Sequence, residues 1–167
     1  ALAARYLLGG NVEDSARHHL HAALAGDGAA FVADERFGRV LELAGSGGYV
    51  QLPGQALAGE DALSVTAWVY LPTGASGPVF DIGHAASGRL FATVNAADGF
   101  SAGIVAMGSR VATAPAAVPV NQWMHLAVVF DPAGARLAAY LNGRGIGQAA
   151  AAGITVAQLT QKGPGGE

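Results

Sequence analysis

The sequence predicts an all-β fold, a two-sheet antiparallel jelly-roll sandwich. Three observations carry that prediction. Short runs with strand character recur about every 8 to 14 residues. Glycine, 25 of the 167 residues, falls between those runs where turns are needed, as in Gly9-Gly10, Gly26-Asp27-Gly28 and Gly45-Ser46-Gly47-Gly48. No long helical pattern separates the runs, as a doubly wound fold would require.

The elements follow in order. ARYLL (4–8) reads as the first strand, and RVLELAG (39–45) and YVQLP (49–53) flank a glycine-rich turn. LSVTAWVYL (63–71), PVFDIG (78–83), LFATVNA (90–96) and SAGIVAMG (101–108) continue the series. In MHLAVVFD (124–131), Met124, Leu126, Val128 and Phe130 share one face, with His125, Ala127, Val129 and Asp131 on the other. That second face is largely apolar too, which predicts a central strand covered on both sides. Asp131-Pro132-Ala133-Gly134 suits a tight turn into RLAAYLNG (136–143), and Asn142-Gly143 is a strong two-residue hairpin signal. HHLHAALAG (18–26) and QAAAAGITVAQL (148–159) are rich in alanine, a residue that favours helix by about 1 kcal/mol over glycine. Neither exceeds three turns before a glycine, so each is expected to give at most a short helical turn. The reading is one domain over 1–159 with a polar tail or loop at 160–167.

Charged residues make up only 13% of the chain, about half the usual share for a soluble domain, and the net charge is −3. No basic run is present to neutralise a row of phosphates, so nucleic acid is not an expected partner. No window approaches the roughly 18 uninterrupted apolar residues of a membrane span. The chain opens at Ala1 without a charged-then-apolar leader, which reads as a processed or excised product. The absence of cysteine excludes disulfides and thiolate zinc sites and leaves the compartment open.

SARHHLHAAL (15–24) holds three of the five histidines. In an extended segment His19 and His21 share a face while His18 points away. A transition-metal site would need a third ligand, which Glu13 or Asp14 could supply; the plainer reading is that the histidines are solvated or bonded to backbone. Trp68 and Trp123 could stack on sugar rings, but both lie in apolar runs and are expected in the core. Tyr49, Tyr70 and Tyr140 carry the same two readings, and His125 reads as a satisfied core histidine. Asp34-Glu35 and Glu60-Asp61 are adjacent acidic pairs, on opposite faces or in turns. There is no nucleophile elbow and no phosphate-cradling glycine loop.

Taken together, RFGRVLELAGSGGYVQLP (36–53), LSVTAWVYLP (63–72), FDIG (80–83), NQWMHLAVVFD (121–131) and LAAYLNGRGIG (137–147) resemble the laminin G-like, concanavalin A-like lectin/glucanase domains. YLLGGNVEDSAR (6–17) is similar to that family's opening. The resemblance implies a concanavalin A-like jelly roll serving as a binding module of an extracellular or cell-surface protein. Calcium is the cofactor it implies, with Asn11, Glu13 and Asp14 as ligands and Asp14 foremost. Two departures stand out: Gly47 and Gly48 replace an acidic residue before the tyrosine, and no match to the family's last one or two strands follows residue 159. The second departure predicts an open edge beside ARYLL, a place where a protein partner or a second chain could add a strand. Glucanases of this fold need two carboxylates at alternating positions of one strand, which this sequence lacks. The expected function is therefore non-catalytic, lectin-like binding of a polysaccharide or glycan. The loops 11–19, 73–77, 84–89 and 95–100 are the candidate rim, and His84, Arg89, Asn95 and Asp98 the candidate ligand-binding residues. The alternative is protein–protein adhesion or assembly, or a structural accessory domain packed against a catalytic neighbour.

Overall fold

A computed structural model describes residues 2–84 and 88–160, with only the backbone described for His84 and Thr160. Residues 85–87, within the expected 84–89 loop, and 161–167, nearly all of the expected tail, lie outside the described residues. The chain divides into two compact units, Ala1–Ala58 and Gly59–Glu167.

The first unit is built from two short ladders. Strand β1 (Ala23–Ala25) and strand β2 (Ala29–Asp34) are followed by β3 (Gly38–Leu43) and β4 (Tyr49–Gln51), with β1 antiparallel to β4 and β2 antiparallel to β3. The β2–β3 turn is closed by Asp34, whose Oδ1 accepts the N–H groups of Arg36 and Phe37, and by Gly38 at φ 76°. Residues 18–26 do not form the short helical turn expected there. Gly26 lies against the carbonyl of Gly47 so closely that a Cβ would overlap it, and this backbone-to-backbone approach holds β1 beside β4. The ladder overrides the helix preference of three alanines.

ARYLL is not a strand. It makes a single antiparallel bridge, Tyr6 to Asp14, and then turns away through Leu8 at φ 53° and Gly10 at φ 133°. The physical reason is that the Asp14 carboxylate takes the Arg5 N–H that a ladder would have used. The strand edge expected at ARYLL is therefore replaced by a loop tied down by one side chain. Among the described residues only Asp14 of this unit is buried, and every buried apolar residue lies between Leu63 and Leu159.

The second unit holds two four-stranded antiparallel sheets. Its strands are β5 (Leu63–Tyr70), β6 (Ser76–His84), β7 (Gly88–Asn95), β8 (Gly99–Ala106), β9 (Ser109–Ala112), β10 (Trp123–Asp131), β11 (Arg136–Leu141) and β12 (Arg144–Ala150). One sheet runs β12-β11-β10-β5 and the other β6-β7-β8-β9. Between them Leu90, Phe100, Ile104, Met124, Leu126, Val128, Phe130 and Leu137 are fully buried, each contributing roughly 1.5–3 kcal/mol of apolar burial. This is the jelly-roll sandwich that the spacing predicts. Both hairpin turns form as read: Asp131 Oδ1 accepts the Gly134 N–H at 3.0 Å, and Asn142 and Gly143 both take positive φ.

Three details differ from the sequence reading. The second face of β10 is only half-buried, because its Trp123, His125 and Asp131 keep partial contact with solvent. Gln148–Ala150 is strand, held by its ladder to β11, and the short helix starts later, at α1 (Val156–Thr160). Strand β9 was not visible as an independent run. Helix α1 rests on β6 and β7 at Gly83 and Gly88, where a Cβ would meet the carbonyls of Leu159 and Gln158 at 2.9 and 2.8 Å.

Candidate functional site

Strand β5 alternates cleanly. Leu63, Val65, Ala67 and Val69 face the interior, and Ser64, Thr66, Trp68 and Tyr70 face out. Its antiparallel register with β10 places Trp123 opposite Tyr70 and His125 opposite Trp68. The rings meet edge-on: 5.3 Å between the centroids of Trp68 and His125, and 5.8 Å between Tyr70 and Trp123. Across the next ladder Tyr140 of β11 stands opposite Ala127, on the same outer face. Trp68 is 48% exposed and Tyr70 45%. The expectation of core positions for Trp68, Trp123 and His125 is thus corrected: all three point away from the core, because the inward parity of these two strands belongs to Val69, Ala67, Met124 and Leu126. The signal was present in LSVTAWVY, where serine and threonine share a parity with the tryptophan and tyrosine.

The result is a floor of four rings on a rigid two-stranded scaffold. Tryptophan and tyrosine offer flat apolar faces with a polar edge, the combination that takes the C–H face of a sugar while leaving its hydroxyls to water or to side chains. Ser64, Thr66 and His125 supply nearby hydroxyl and ring-nitrogen groups on the same face.

The four rim residues do not form one site. Gly88 pairs with His84, and Arg89 with Gly83, at one end of the β6–β7 hairpin, whereas Asn95 pairs with Ser76 at the other. The six residue steps from Arg89 to Asn95 span about 20 Å of strand. Asn95 Oδ1 accepts the N–H groups of Ala97 and Asp98, so Asn95 caps the 95–98 turn. Ala96 donates to the carbonyl of Ala75, which joins that turn to the 73–77 loop. Arg89 is in an ion pair with Asp81 at 3.2 Å. The side chain of His84 lies outside the described residues.

In the first unit, Asp14 organises its loop. Its Oδ1 accepts the N–H groups of Arg5 and Ala16, each at 2.8 Å, and its Oδ2 accepts that of Leu20 at 2.9 Å. The Arg5 N–H above all, with those of Ala16 and Leu20 and the nearby His21, holds this carboxyl below its usual range despite its burial. His21 Nδ1 accepts the Asp14 N–H, so this histidine is bonded to backbone. His18 and His19 are exposed. Asn11 and Glu13, also exposed, bond to one another, the Asn11 Oδ1 accepting the Glu13 N–H at 3.1 Å. A cation at Asp14 would have to compete with three backbone donors. Among the described residues no three of His, Cys, Asp and Glu converge in a way that could hold a metal ion.

The Concanavalin A-like lectin/glucanases superfamily model matches residues 44–163. The chain belongs to this superfamily. The match takes in β4 and then every strand of the second unit, so the superfamily's sandwich is the scaffold of the aromatic face. An S-layer domain-containing protein from Clostridium thermocellum is structurally similar, with a TM-score of 0.55 and 22% identity over 87% of this chain and 70% of that one. A heptameric SAP-like pentraxin from Limulus polyphemus is more distant, at a TM-score of 0.40 and 19% identity over 56% of this chain and 46% of that one. No curated protein matches the chain.

Proposed function

We propose that this superfamily member is a non-catalytic, lectin-like module that binds a polysaccharide on the outer face of β5 and β10, at the surface of a cell or outside it. The observation that carries the reading is the exposure of Trp68 and Tyr70 on the outer sheet face, each braced edge-on by a ring from the neighbouring strand. Sugar rings stacked there would meet preorganised aromatics that lose little side-chain freedom on binding. A non-catalytic role is supported by how the strand carboxylates are used: Asp81 is committed to Arg89, and Asp131 to the turn at Gly134. The surface location rests on the superfamily and on the S-layer neighbour. Calcium remains part of the reading through the exposed Asn11 and Glu13 beside Asp14.

The test is a binding screen of the folded chain against soluble and insoluble polysaccharides, run with calcium and with a chelator, for the wild type and Trp68→Ala. Binding that the substitution abolishes supports the proposal. A hit lost in chelator keeps calcium in the reading, and one that persists removes it. Silence across the panel, or binding indifferent to Trp68→Ala, overturns it. A second reading, adhesion to a protein, is favoured by a different observation: Leu2, Leu7, Leu24, Phe37, Leu43, Tyr49 and Leu52 of the first unit are all exposed.

A further inference from the structure

The outer face of the other sheet carries a cluster that the aromatic site does not use. In adjacent cross-strand rows, Arg89 of β7 stands opposite Val105 of β8, which stands opposite Arg110 of β9; one row on, Asp81 stands opposite Phe91 and Phe91 opposite Gly103. Gly103 has no side chain, and its place is taken by the Phe91 ring, which a Cβ there would meet at 2.5 Å. Both guanidiniums reach that ring, Arg89 at 4.6 Å and Arg110 at 5.2 Å from its centroid. Phe91 is only 7% exposed, so the guanidiniums cover it.

Two cations therefore converge on one ring, and one carboxylate answers them. Asp81 pairs with Arg89. Among the described residues Arg110 has no ion-pair partner, although it is exposed, and the Arg89 Nε is buried without an acceptor. The ring holds both guanidiniums beside it, and the exposed Arg110 keeps its terminal N–H donors open to solvent, where a guanidinium can take an oxyanion through two parallel N–H bonds.

We infer that this cluster is a binding site for an oxyanion carried on a polysaccharide, a uronate carboxylate or a sulfate ester, with Arg110 as the primary contact and Arg89 as its neighbour. A polymer is specified because one anion on an exposed arginine gains too little to hold a ligand in salt, whereas a chain that repeats its charge rebinds at high local concentration. The site is separate from the face bearing Trp68, since the two lie on the outer sides of opposite sheets, and it does not depend on that proposal.

The experiment measures binding of the whole chain to alginate, to dextran sulfate and to neutral dextran at low and at physiological salt. The variants are Arg110→Gln, Arg144→Gln as an exposed arginine elsewhere, and Trp68→Ala. The expected result is binding of one or both charged polymers and not of dextran, weakened roughly fivefold or more by Arg110→Gln and unchanged by Arg144→Gln and Trp68→Ala. Alginate alone assigns the carboxylate, dextran sulfate alone the sulfate, and both a general oxyanion site. Equal loss in Arg110→Gln and Arg144→Gln would show diffuse attraction and overturn the proposal. So would charged-polymer binding that Arg110→Gln leaves intact, or no binding to either charged polymer. Thermal melting of each variant confirms that it is folded. Failure of neutral polysaccharides to bind bears on the aromatic face alone.

Discussion

The indole of Trp68 meets the imidazole of His125 edge-on, with 5.3 Å between ring centroids, across a ladder in which the two residues are direct partners. The contact braces an indole that remains 48% exposed. Replacing Trp68 by alanine removes a stacking surface together with the covered half of the indole and its contact with His125. The expected outcome is a loss of about 1–3 kcal/mol in polysaccharide affinity, taking the range for a base stacked on an aromatic side chain as the guide, with a destabilisation of about 0.5–3 kcal/mol from the lost packing. Isothermal titration calorimetry and thermal unfolding separate the two, and Trp68→Phe should recover most of the affinity.

Asp14 gives a pH dependence with a definite sign. Its carboxyl is held below the usual value, chiefly by the Arg5 N–H, so its contribution to stability is complete above the unfolded pKa of about 4. That contribution is lost as pH falls through the lower, folded-state value. Asp14→Ala should therefore melt at a lower temperature than the wild type at pH 7, and the gap should close as pH falls well below 4. A gap that persists unchanged at the acid end would assign the effect to packing. Tyr6, whose hydroxyl donates to the Leu20 carbonyl at 2.6 Å, has its pKa raised by burial and by the Asp14 charge. The sign there is opposite, with stability falling as pH rises above about 10.

The sandwich was legible because its strands repeat a period of two between glycine turns, and that pattern survives whatever packs beside it. Residues 63–83, 90–106 and 124–141 show it best. What misled was local. ARYLL has strand composition, but Asp14, nine residues beyond Arg5, captures its backbone. Trp68 looked like core because its neighbours are apolar, yet parity rather than neighbourhood decides which side a strand residue faces. The Arg89–Phe91–Arg110 cluster is illegible for another reason: it needs the register of three strands, which no single stretch of sequence carries.

Gly103 tests that cluster. Its backbone has no positive φ, so alanine is conformationally acceptable, and the obstacle is the Phe91 ring. Gly103→Ala should cost about 1–3 kcal/mol as an overpacking substitution and should weaken charged-polymer binding by displacing the platform under both arginines. Phe91→Ala in the same chain should relieve the clash, making the double mutant more stable than additivity predicts. Chemical denaturation of the four members of the cycle measures the coupling.

Thr113 poses the last question, whether one buried hydroxyl anchors the end of β9. It is 3% exposed, its Oγ1 accepts the Ala102 N–H at 3.0 Å, and its own N–H returns to the Ala102 carbonyl at 2.9 Å. Two residues thus exchange bonds just past the last ladder pair of β9, and Gly147 of β12 lies against the Thr113 side chain. Thr113→Val keeps the shape and strands the Ala102 N–H without an acceptor, which should cost about 1–3 kcal/mol. Thr113→Ser keeps the acceptor and should cost less. Urea titration ranks the three proteins, and hydrogen exchange at Ala102 should accelerate in the valine variant and not in the serine one. Equal stability of the valine variant and the wild type would mean that water or a backbone shift satisfies the amide, and that the hydroxyl is not what holds this corner of the sandwich.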